Sequence, residues 1–373
     1  MKAAWRARHA LRGWILESRA GRFRDPVAKL RFLRQKQGLS GRRPSNAGKI
    51  LRVAAACLLL LAPIPTAFDA VWEIEPANPP PEPPEIWRVE EKDGVELFSN
   101  GLRIENRMAV EGAPRTYPVY HPETLGLTRW RSQPAGIVYH TTESHIAPFS
   151  PDHNGRLRRV GRWVLEYVRD SRSYHFVIDR FGRVHRVVRE SDAAHHAGSS
   201  IWADEQSLYV NLNASFLGIS FETETRDLAR GAEINQAQIH AGRVLTEMLR
   251  RKYGIPAANC VTHAQVSVAP STMFVGNHLD WSANFPFEEL GLANNYRIPL
   301  PAVAIFGFRF DRDFQKATDS ALGRGLAMGE DLFRRRASAL RLSADQHRAA
   351  VQRRYREIVK ALATERSARE KTT

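Results

Sequence analysis

Cysteine is scarce in this 373-residue chain, and its middle has no net positive charge. The two cysteines are Cys57, within an apolar run, and Cys260, in a predicted strand, so no stabilising disulfide is expected. The formal net charge is +15, but residues 1–52 contribute +13 and residues 324–373 contribute +7, which leaves the intervening 53–323 at −5. Because a nucleic-acid backbone is bound by a cationic surface, the middle of the chain is not expected to bind nucleic acid.

Long hydrophobic runs are also few. Residues 53–62 are uniformly apolar, a length typical of the hydrophobic core of a signal peptide, and an apolar stretch interrupted by two prolines and Asp69 continues to residue 72. The basic segment 1–52 before it is typical of a cytoplasmic N-terminus. We therefore expect a signal peptide or a transmembrane anchor at 53–72 and a location in the cell envelope, periplasmic or otherwise extracytoplasmic. A retained segment would anchor the protein in the inner membrane, whereas a buried core helix is the alternative interpretation.

The composition predicts four further divisions of the chain. A proline-rich linker at 73–93 should be extended and semi-rigid. Residues 94–133 alternate apolar and polar side chains around Ser99-Asn100-Gly101, which predicts a β-rich lead-in with a hairpin. The segment 134–292 is the main domain, and 293–373 is a mostly helical C-terminal extension with no role assigned, within which Ala302–Phe310 is a candidate strand.

The main domain has the pattern of an α/β fold. Short apolar runs rich in β-branched residues predict strands at 136–141, 173–179, 183–188, 216–222 and 259–263. Helical spacing of apolar residues predicts helices at 157–169 and 235–252.

Three polar residues follow or end these elements. His140 ends the first strand, His263 follows the short run Cys260-Val261-Thr262 of the last, and Asp280 lies in a loop ahead of Phe285. Two imidazoles and a carboxylate are a normal protein ligand set for a catalytic zinc ion, with a fourth position left for water. A single strand-end histidine is more often structural, and spacing alone does not select these three residues from the 13 histidines of the chain.

Six motifs occur in an order that resembles a known family. They read VYHTT, SYHFVIDRFGRVHRVV, AHHAG, NASFLGISFE, VTHAQVSVAP and HLDWSANFPFEEL. In this order they resemble the zinc-dependent N-acetylmuramoyl-L-alanine amidases (type-2 amidases), which include phage lysozyme-amidases and animal peptidoglycan recognition proteins. The resemblance covers about residues 134–292. It implies an α/β fold with a mixed central β-sheet flanked by helices, a zinc cleft at one end of the sheet, and here a helical C-terminal extension.

The resemblance also implies the metal ligands. His140 matches the first zinc histidine of the family, His263 the second, and Asp280 the third ligand. The 17-residue gap between His263 and Asp280 is longer than is usual in the family, so the loop 267–277 carries an insertion.

Further residues of this chain match individual positions of the family's active site. Tyr174 matches a tyrosine beside the zinc water, and His278 lies where the family often has a lysine that steadies the oxyanion. His196 matches a cleft-wall histidine and Asn213 an asparagine before the Gly-Ile strand; both are predicted substrate contacts.

The catalytic base is the position at which the sequence departs from part of the family. Recycling-type bacterial members have glutamate directly after Gly-Ile, whereas this chain has Ser220, as in the recognition-protein branch. Glu222 follows two residues later on the same face of the strand. It either serves as the base, alone or with Tyr174, or only orients a ligand.

The predicted activity is therefore hydrolysis of the amide bond between N-acetylmuramic acid and L-alanine in peptidoglycan. The expected cofactor is Zn²⁺, and the expected partners are peptidoglycan or muropeptides and, through the N-terminal segment, a membrane. The alternative is a non-catalytic peptidoglycan-binding protein, and a further one is a structural wall-tethering protein in which the helical extension matters most.

Overall fold

The structure, a computed structural model, describes residues 85–370 except 145, 146, 228, 229, 319 and 320. The strands are β1 (Arg88–Lys92), β2 (Val95–Phe98), β3 (Arg103–Glu105), β4 (Ala113–Pro114), β5 (Tyr117–Tyr120), β6 (Leu127–Arg131), β7 (Gly136–Thr141), β8 (Phe176–Ile178), β9 (Val184–Arg186), β10 (Asp192–Ala193), β11 (Ile201–Ala203), β12 (Leu208–Val210), β13 (Phe216–Phe221), β14 (Thr225–Asp227), β15 (Gly231–Ala232), β16 (Cys260–Thr262), β17 (Val268–Ala269) and β18 (Phe274–Val275). The α-helices are α1 (Asn154–Ser171), α2 (Leu212–Ser215), α3 (Gln236–Tyr253), α4 (His263–Val266), α5 (Pro301–Phe306), α6 (Arg312–Ala317), α7 (Leu322–Ala339) and α8 (Ala344–Glu370). Three short 3₁₀ helices lie at Pro151–His153, Ala257–Asn259 and Asn295–Arg297.

An eight-stranded mixed sheet forms the centre of the fold, in the order β1-β2-β3-β9-β8-β13-β7-β16. Strands β8, β13, β7 and β16 run parallel to one another, and β13 pairs with β7 so that Ser220 lies opposite His140. In the β16–β7 pair, Thr262 lies opposite Tyr139. Because the carboxyl ends of parallel strands meet at one edge of a sheet, His140 and His263 are brought to the same edge. The predicted mixed sheet is confirmed.

Helices cover the faces of this sheet. Along α1, Val164, Leu165 and Val168 pack against Val177 and Val187 on the face that also carries His140 and Ser220. The apolar side of α3 joins the large core on the other side, as its spacing predicts. A smaller sheet of order β11-β12-β5-β6 contributes Tyr117, Trp202 and Tyr209 to a second cluster.

Local sequence signals account for the bounds of α3. Asn235 accepts a hydrogen bond from the N–H of Gln238, whose side chain accepts one from the N–H of Asn235, so two of the unpaired donors at the helix start are satisfied. Gly254 closes the helix with a left-handed φ of 62°, a conformation that glycine adopts without strain. The predicted helix 235–252 is confirmed to within one residue at each end.

One predicted element was wrong. Ala302–Phe310 was a candidate strand because of its apolar run, but the structure has helix α5 there, with Pro301 in its first turn. Proline is favoured at that position, since it lacks the N–H that would be unpaired anyway. Gly307, with φ of 64°, ends the helix after six residues. An apolar run this short does not separate a buried helix from a buried strand by periodicity.

The C-terminal helices share the main hydrophobic core, to which Phe306, Leu326 and Tyr355 contribute buried side chains. The connection between α5 and α6 also contacts the loop 267–277, which forms the hairpin β17–β18. Arg309 N donates to Met273 O (2.8 Å) and Arg309 O accepts from Val275 N (2.9 Å). The C-terminal extension therefore supports the segment that leads to Asp280.

The predicted anchor at 53–72 lies outside the described residues, as does most of the proline-rich linker. Within the part of the chain that the structure describes, none of the helices combines the length and the apolar character needed to span a membrane.

Candidate metal centre

His140, His263 and Asp280 come together at the carboxyl edge of the central sheet. His140 Nδ1 lies 3.1 Å from Asp280 Oδ2, and His263 Nδ1 lies 3.0 Å from the same oxygen. All three side chains are buried, and one ligand atom from each lies within 4.8 Å of the others. The two imidazole rings are 4.5 Å apart between centroids. Residues separated by up to 140 positions in the sequence thus present three ligand atoms to one point.

A chain of hydrogen bonds behind His140 fixes its tautomer. His196 Nε2 lies 3.2 Å from the carbonyl oxygen of Phe216, which can only accept, so this nitrogen carries the proton. Burial, followed by the nearby His140, holds the pKa of His196 well below its usual value, so the ring is neutral and its Nδ1 is an acceptor. His140 Nε2, 3.1 Å from that Nδ1, must then donate.

This relay leaves a lone pair on His140 Nδ1 facing the Asp280 carboxylate. Burial lowers the pKa of His140 to about 4, with a further contribution from His263, so the ring does not supply a second proton. Two acceptors 3.1 Å apart in a buried site repel each other unless a cation lies between them. The donor set therefore fits a metal ion, and an imidazole with its remote nitrogen hydrogen-bonded is the usual arrangement of a metal-bound histidine.

Local structure fixes the positions of His263 and Asp280. Thr262 and Gln265 form a capping box at the start of α4, which places His263 as the first residue of that helix. The carbonyl oxygen of Asp280 accepts from Ala264 N (3.2 Å), and that of Trp281 accepts from the Tyr296 hydroxyl (2.6 Å). The ligand-bearing loop is thereby attached to both α4 and the segment at 295–297.

Electrostatics keep Asp280 ionised in spite of its burial. Burial acts to raise the pKa of this carboxyl, but the interactions of the carboxyl with His263 outweigh burial and lower the pKa. An ionised carboxylate is the form that binds a metal ion.

His196 and Asn213, which are expected to contact substrate on the cleft wall, lie behind His140: His196 contacts His140 Nε2, and Asn213 contacts the backbone of His196. His196 is buried, and its ring packs so closely on Gly218 that a Cβ at that position would lie 2.6 Å from the ring. Asn213 Oδ1 accepts from the N–H groups of three successive residues, His196 (3.1 Å), Ala197 (2.7 Å) and Gly198 (3.2 Å). These contacts orient His196, and the assignment of the two residues to substrate binding stays a prediction.

Tyr174 lies beside the cluster, with its ring centroid 5.0 Å from that of His140. Burial raises the pKa of the Tyr174 phenol above its usual value, the charge of Asp280 raises it further, and an interaction with Ser220 offsets only part of the effect. The phenol therefore keeps its proton at neutral pH, which suits a hydrogen-bond donor and not a base.

His278 is on the opposite side of the site. Its ring stacks on that of His263, with centroids 4.4 Å apart and planes 17° apart, and its backbone N–H donates to Ser267 Oγ (3.1 Å). The predicted oxyanion residue therefore lies next to one of the three candidate ligands.

Glu222 points away from the three candidate ligands. Its carboxylate accepts from the N–H of Arg180 (3.1 Å) and lies beside Gly161 of α1. Burial raises the pKa of Glu222, and the charges that act on it belong to Asp179, Arg180 and His185. Among the described residues, no hydrogen bond joins it to His140, His263 or Asp280.

Glu143, which was not predicted as a site residue, interacts electrostatically with Asp280 and Tyr174. Its carboxylate accepts from the hydroxyls of Thr141 and Thr225 and from Thr225 N (3.1 Å). The residue is exposed, but desolvation raises the pKa of its carboxyl, and the charge of Asp280 adds to the rise. Glu143 in turn raises the pKa of Tyr174. The sequence feature that could have identified Glu143 is its position three residues after His140, just beyond the end of β7.

The buried histidines predict how the stability of the metal-free protein depends on pH. Burial lowers the pKa of His140 to about 4 and holds those of His175 and His196 well below the usual value of 6.5. Below pH 6.5 the unfolded chain takes up protons that the folded protein does not. The free energy of unfolding should therefore fall between pH 6.5 and about 4, by about 1.4 kcal/mol per pH unit for each histidine that stays neutral. Urea unfolding in chelator over this range measures the effect, and a constant stability would contradict it.

Comparison with known proteins gives one family match. The family model described as N-acetylmuramoyl-L-alanine amidase matches residues 130–280. Among curated proteins, no sequence matches the chain.

Several solved structures are similar to part of the chain. AmpDh3 from Pseudomonas aeruginosa, in complex with anhydromuramic pentapeptide, is 21% identical over 50% of this chain and 72% of its own, with a TM-score of 0.33. The N-acetylmuramoyl-L-alanine amidase LysC from Clostridium intestinale is 21% identical over 49% of this chain and 93% of its own, with a TM-score of 0.25. AmiD from E. coli, in complex with the substrate anhydro-N-acetylmuramic acid-L-Ala-D-γ-Glu-L-Lys, is 21% identical over 48% of this chain and 60% of its own, with a TM-score of 0.29.

The family match includes all three residues of the buried cluster, with Asp280 as its last position. The resemblance of the central part of the chain to the N-acetylmuramoyl-L-alanine amidase family is thereby confirmed over residues 130–280.

Proposed function

We propose that this protein is a zinc-dependent N-acetylmuramoyl-L-alanine amidase that hydrolyses the amide bond between muramic acid and L-alanine in peptidoglycan. The observation that carries the proposal is the convergence of His140 Nδ1, His263 Nδ1 and the Asp280 carboxylate in one buried cluster. Two histidines and a carboxylate with an open fourth position are the ligand set of a catalytic zinc site, in contrast to the closed four-ligand set of a structural one.

A bound zinc ion would supply Lewis acidity towards the amide carbonyl and would lower the pKa of a water molecule to about 7. The side chains of the protein have the remaining tasks. Attack by water on the carbonyl carbon puts negative charge on the carbonyl oxygen, and the proton removed from water is delivered to the departing nitrogen of L-alanine. The products are a free lactyl carboxylate on the sugar and a peptide with a free L-alanine amine.

Tyr174 is the best-placed donor to the developing oxyanion. Its half-buried phenol lies beside His140, and its raised pKa keeps the proton that a hydrogen bond to the oxyanion requires. His278 is the second candidate, since it stacks on His263 at the other side of the cluster.

A carboxylate is the better candidate for the proton transfers. Both Glu222 and Glu143 have a raised pKa, which brings a carboxyl closer to the working range of a general base. Glu143 is the one whose charge is coupled to Asp280 and Tyr174, whereas Glu222 faces the Asp179–Arg183 turn. We therefore assign the proton transfers to Glu143 and regard Glu222 as the alternative.

We propose separately that the protein acts in the cell envelope. A wall amidase acts where peptidoglycan is, and the apolar segment 53–72 behind a basic N-terminus is the kind of sequence that exports or anchors a protein in the cell envelope. A reporter fused after residue 75 that was active only in the cytoplasm would contradict export.

The amidase proposal is tested by removing and restoring the metal. The full chain is stripped with a chelator, reloaded with one equivalent of zinc, and incubated with purified sacculi. We expect one zinc ion per chain, release of peptides that begin with L-alanine, and loss of that release on stripping. Muramic acid left with a free lactyl group identifies the bond that was cut.

Two results would contradict this proposal in different ways. Zinc-loaded protein that binds sacculi but releases no peptide would favour the non-catalytic peptidoglycan-binding protein instead. Failure to bind zinc would contradict the assignment of the cluster as a metal centre.

A further inference from the structure

The backbone bends sharply directly after Asp280. Trp281 has a φ of 58°, in the left-handed region, and its side chain is fully buried. A large residue other than glycine adopts this conformation only where the surrounding structure imposes it, and such positions cluster at functional sites. Since Trp281 is bonded directly to Asp280, the contacts that hold this bend also hold the orientation of the Asp280 side chain.

A hydroxyl from the C-terminal extension holds the bend. The Tyr296 hydroxyl donates to the carbonyl oxygen of Trp281 (2.6 Å) and accepts from the backbone N–H of Phe285 (3.4 Å). A carbonyl oxygen can only accept, so the direction of the first bond is settled. Burial raises the pKa of the Tyr296 phenol above its usual value, which keeps the donated proton in place. One hydroxyl thereby joins the two ends of the turn 281–285.

The neighbouring residue attaches the same segment to the support of a second candidate ligand. Asn295 Nδ2 donates to the carbonyl oxygen of Cys260 (2.7 Å), in β16. The carbonyl oxygen of Asn295 accepts from Gln265 Nε2 (2.8 Å), and the same glutamine completes the capping box that places His263 as the first residue of α4. The extension therefore contacts the residues that hold His263 as well as those that hold Asp280.

Helix α7 packs closely on this segment. Gly325 of α7 is so near that a Cβ there would lie 2.8 Å from the carbonyl oxygen of Ile298 and 3.3 Å from that of Tyr296. Leu300 N donates to the carbonyl oxygen of Gly325 (3.1 Å). The Tyr296 side chain is buried, and its ring packs edge-on against Phe287, with centroids 5.2 Å apart. The position of the hydroxyl is therefore fixed by the extension and the main core together.

We propose that Tyr296 is a positioning residue of the metal centre, through which the C-terminal extension holds Asp280 in the orientation that binds a metal ion. Tyr296 lies beyond residues 130–280, over which the chain matches the amidase family model, so this support comes from outside the matched segment. The inference rests on the metal centre of the proposed function and gives the extension a role in it.

Tyr296→Phe tests the inference because it removes the hydroxyl and keeps the buried ring. The bend at Trp281 then loses its bond to the extension, and the Asp280 carboxylate is less firmly held towards the histidines. We expect the zinc affinity of the full chain, measured by competition with a chromogenic chelator, to fall about tenfold, the lower end of the effects of outer partners of metal ligands. The visible absorption of bound Co²⁺, which reports the geometry of the ligands, should change as well.

Tyr117→Phe is the matched control. The Tyr117 hydroxyl also donates to a backbone carbonyl oxygen, that of Gln133, at 2.6 Å, and Tyr117 is buried in the second cluster. Removal of this hydroxyl should lower the urea midpoint about as much as Tyr296→Phe does, because both variants lose the same kind of hydrogen bond. It should change the zinc affinity less than about twofold and leave the Co²⁺ absorption unchanged.

The possible results distinguish the role of Tyr296 from the amidase activity. A Tyr296→Phe chain that binds zinc as tightly as the wild type, or an equal loss of affinity in both variants, would overturn the role of Tyr296 and leave the amidase intact. A loss of affinity specific to Tyr296→Phe, in a protein whose wild-type chain releases no peptide from sacculi, would contradict only the amidase. A wild-type chain that binds no zinc would contradict both.

Discussion

Replacement of Asp280 by asparagine is expected to abolish stoichiometric zinc binding and to lower amide hydrolysis by at least about 10²-fold, since even outer partners of a metal ligand are typically worth 10–100-fold. The substitution keeps the shape of the side chain but removes the negative charge that would bind a metal ion together with the two imidazole nitrogens, which lie 3.0 and 3.1 Å from the carboxylate. Metal content by atomic absorption and peptide release from sacculi measure the two effects.

Asp179→Asn is the matched control for this prediction. Asp179 is also a buried aspartate beside a histidine, His185, and the side chain of Arg183, but it belongs to the β8–β9 turn and not to the metal centre. Its replacement should lower stability and leave the zinc stoichiometry at one. An Asp280→Asn protein that still bound one zinc ion and released peptides at the wild-type rate would exclude Asp280 as a ligand.

Much of the core of the fold was predictable because its local signals agree with its tertiary structure. Strands β7 and β13 are buried on both faces, so they are continuous apolar runs, and parallel strands of this kind deliver their last residues to one edge. His140 ends such a run and His263 follows another, but it was the family resemblance that selected these two from the 13 histidines of the chain. The confirmed α3 helix likewise had its cap, its apolar stripe and its closing glycine in the sequence.

The parts that escaped prediction depend on contacts between distant segments. The tautomer of His140 depends on the Phe216 carbonyl through His196, and no residue pattern near position 140 encodes a hydrogen bond to a backbone oxygen on a neighbouring strand. The contacts of Glu222 could not be predicted for a related reason: the alternation along a strand selects a face of the sheet but not the point along that face at which a carboxylate is bound.

Glu143 illustrates a further limit. Its φ of 48° is in the left-handed region, which a non-glycine residue adopts infrequently, and this conformation turns the chain just beyond β7. The carboxylate is then held by Thr225, 82 residues away in the sequence. Neither the backbone conformation nor its partner is visible in the motif that contains His140.

Glu143→Gln is expected to lower kcat for amide hydrolysis by about 10²–10⁴-fold, the usual contribution of a general acid–base residue, with zinc content unchanged. Glutamine keeps the oxygen that accepts from Thr141 and Thr225 but cannot take the proton from the attacking water. The acidic limb of the pH–rate profile, which reports ionisation of the base above the usual glutamate range because the pKa of Glu143 is raised, should disappear.

Glu222→Gln is the matched comparison, because both carboxyls have a raised pKa and both accept a backbone N–H, from Arg180 in one case and Thr225 in the other. If Glu143 is the base, Glu222→Gln should change kcat less than about tenfold and keep the acidic limb. The reverse pattern would return the proton transfers to Glu222, and it would require the side chain to leave Arg180 and Gly161 when substrate binds. Full activity in both variants would exclude both carboxyls from the proton transfers.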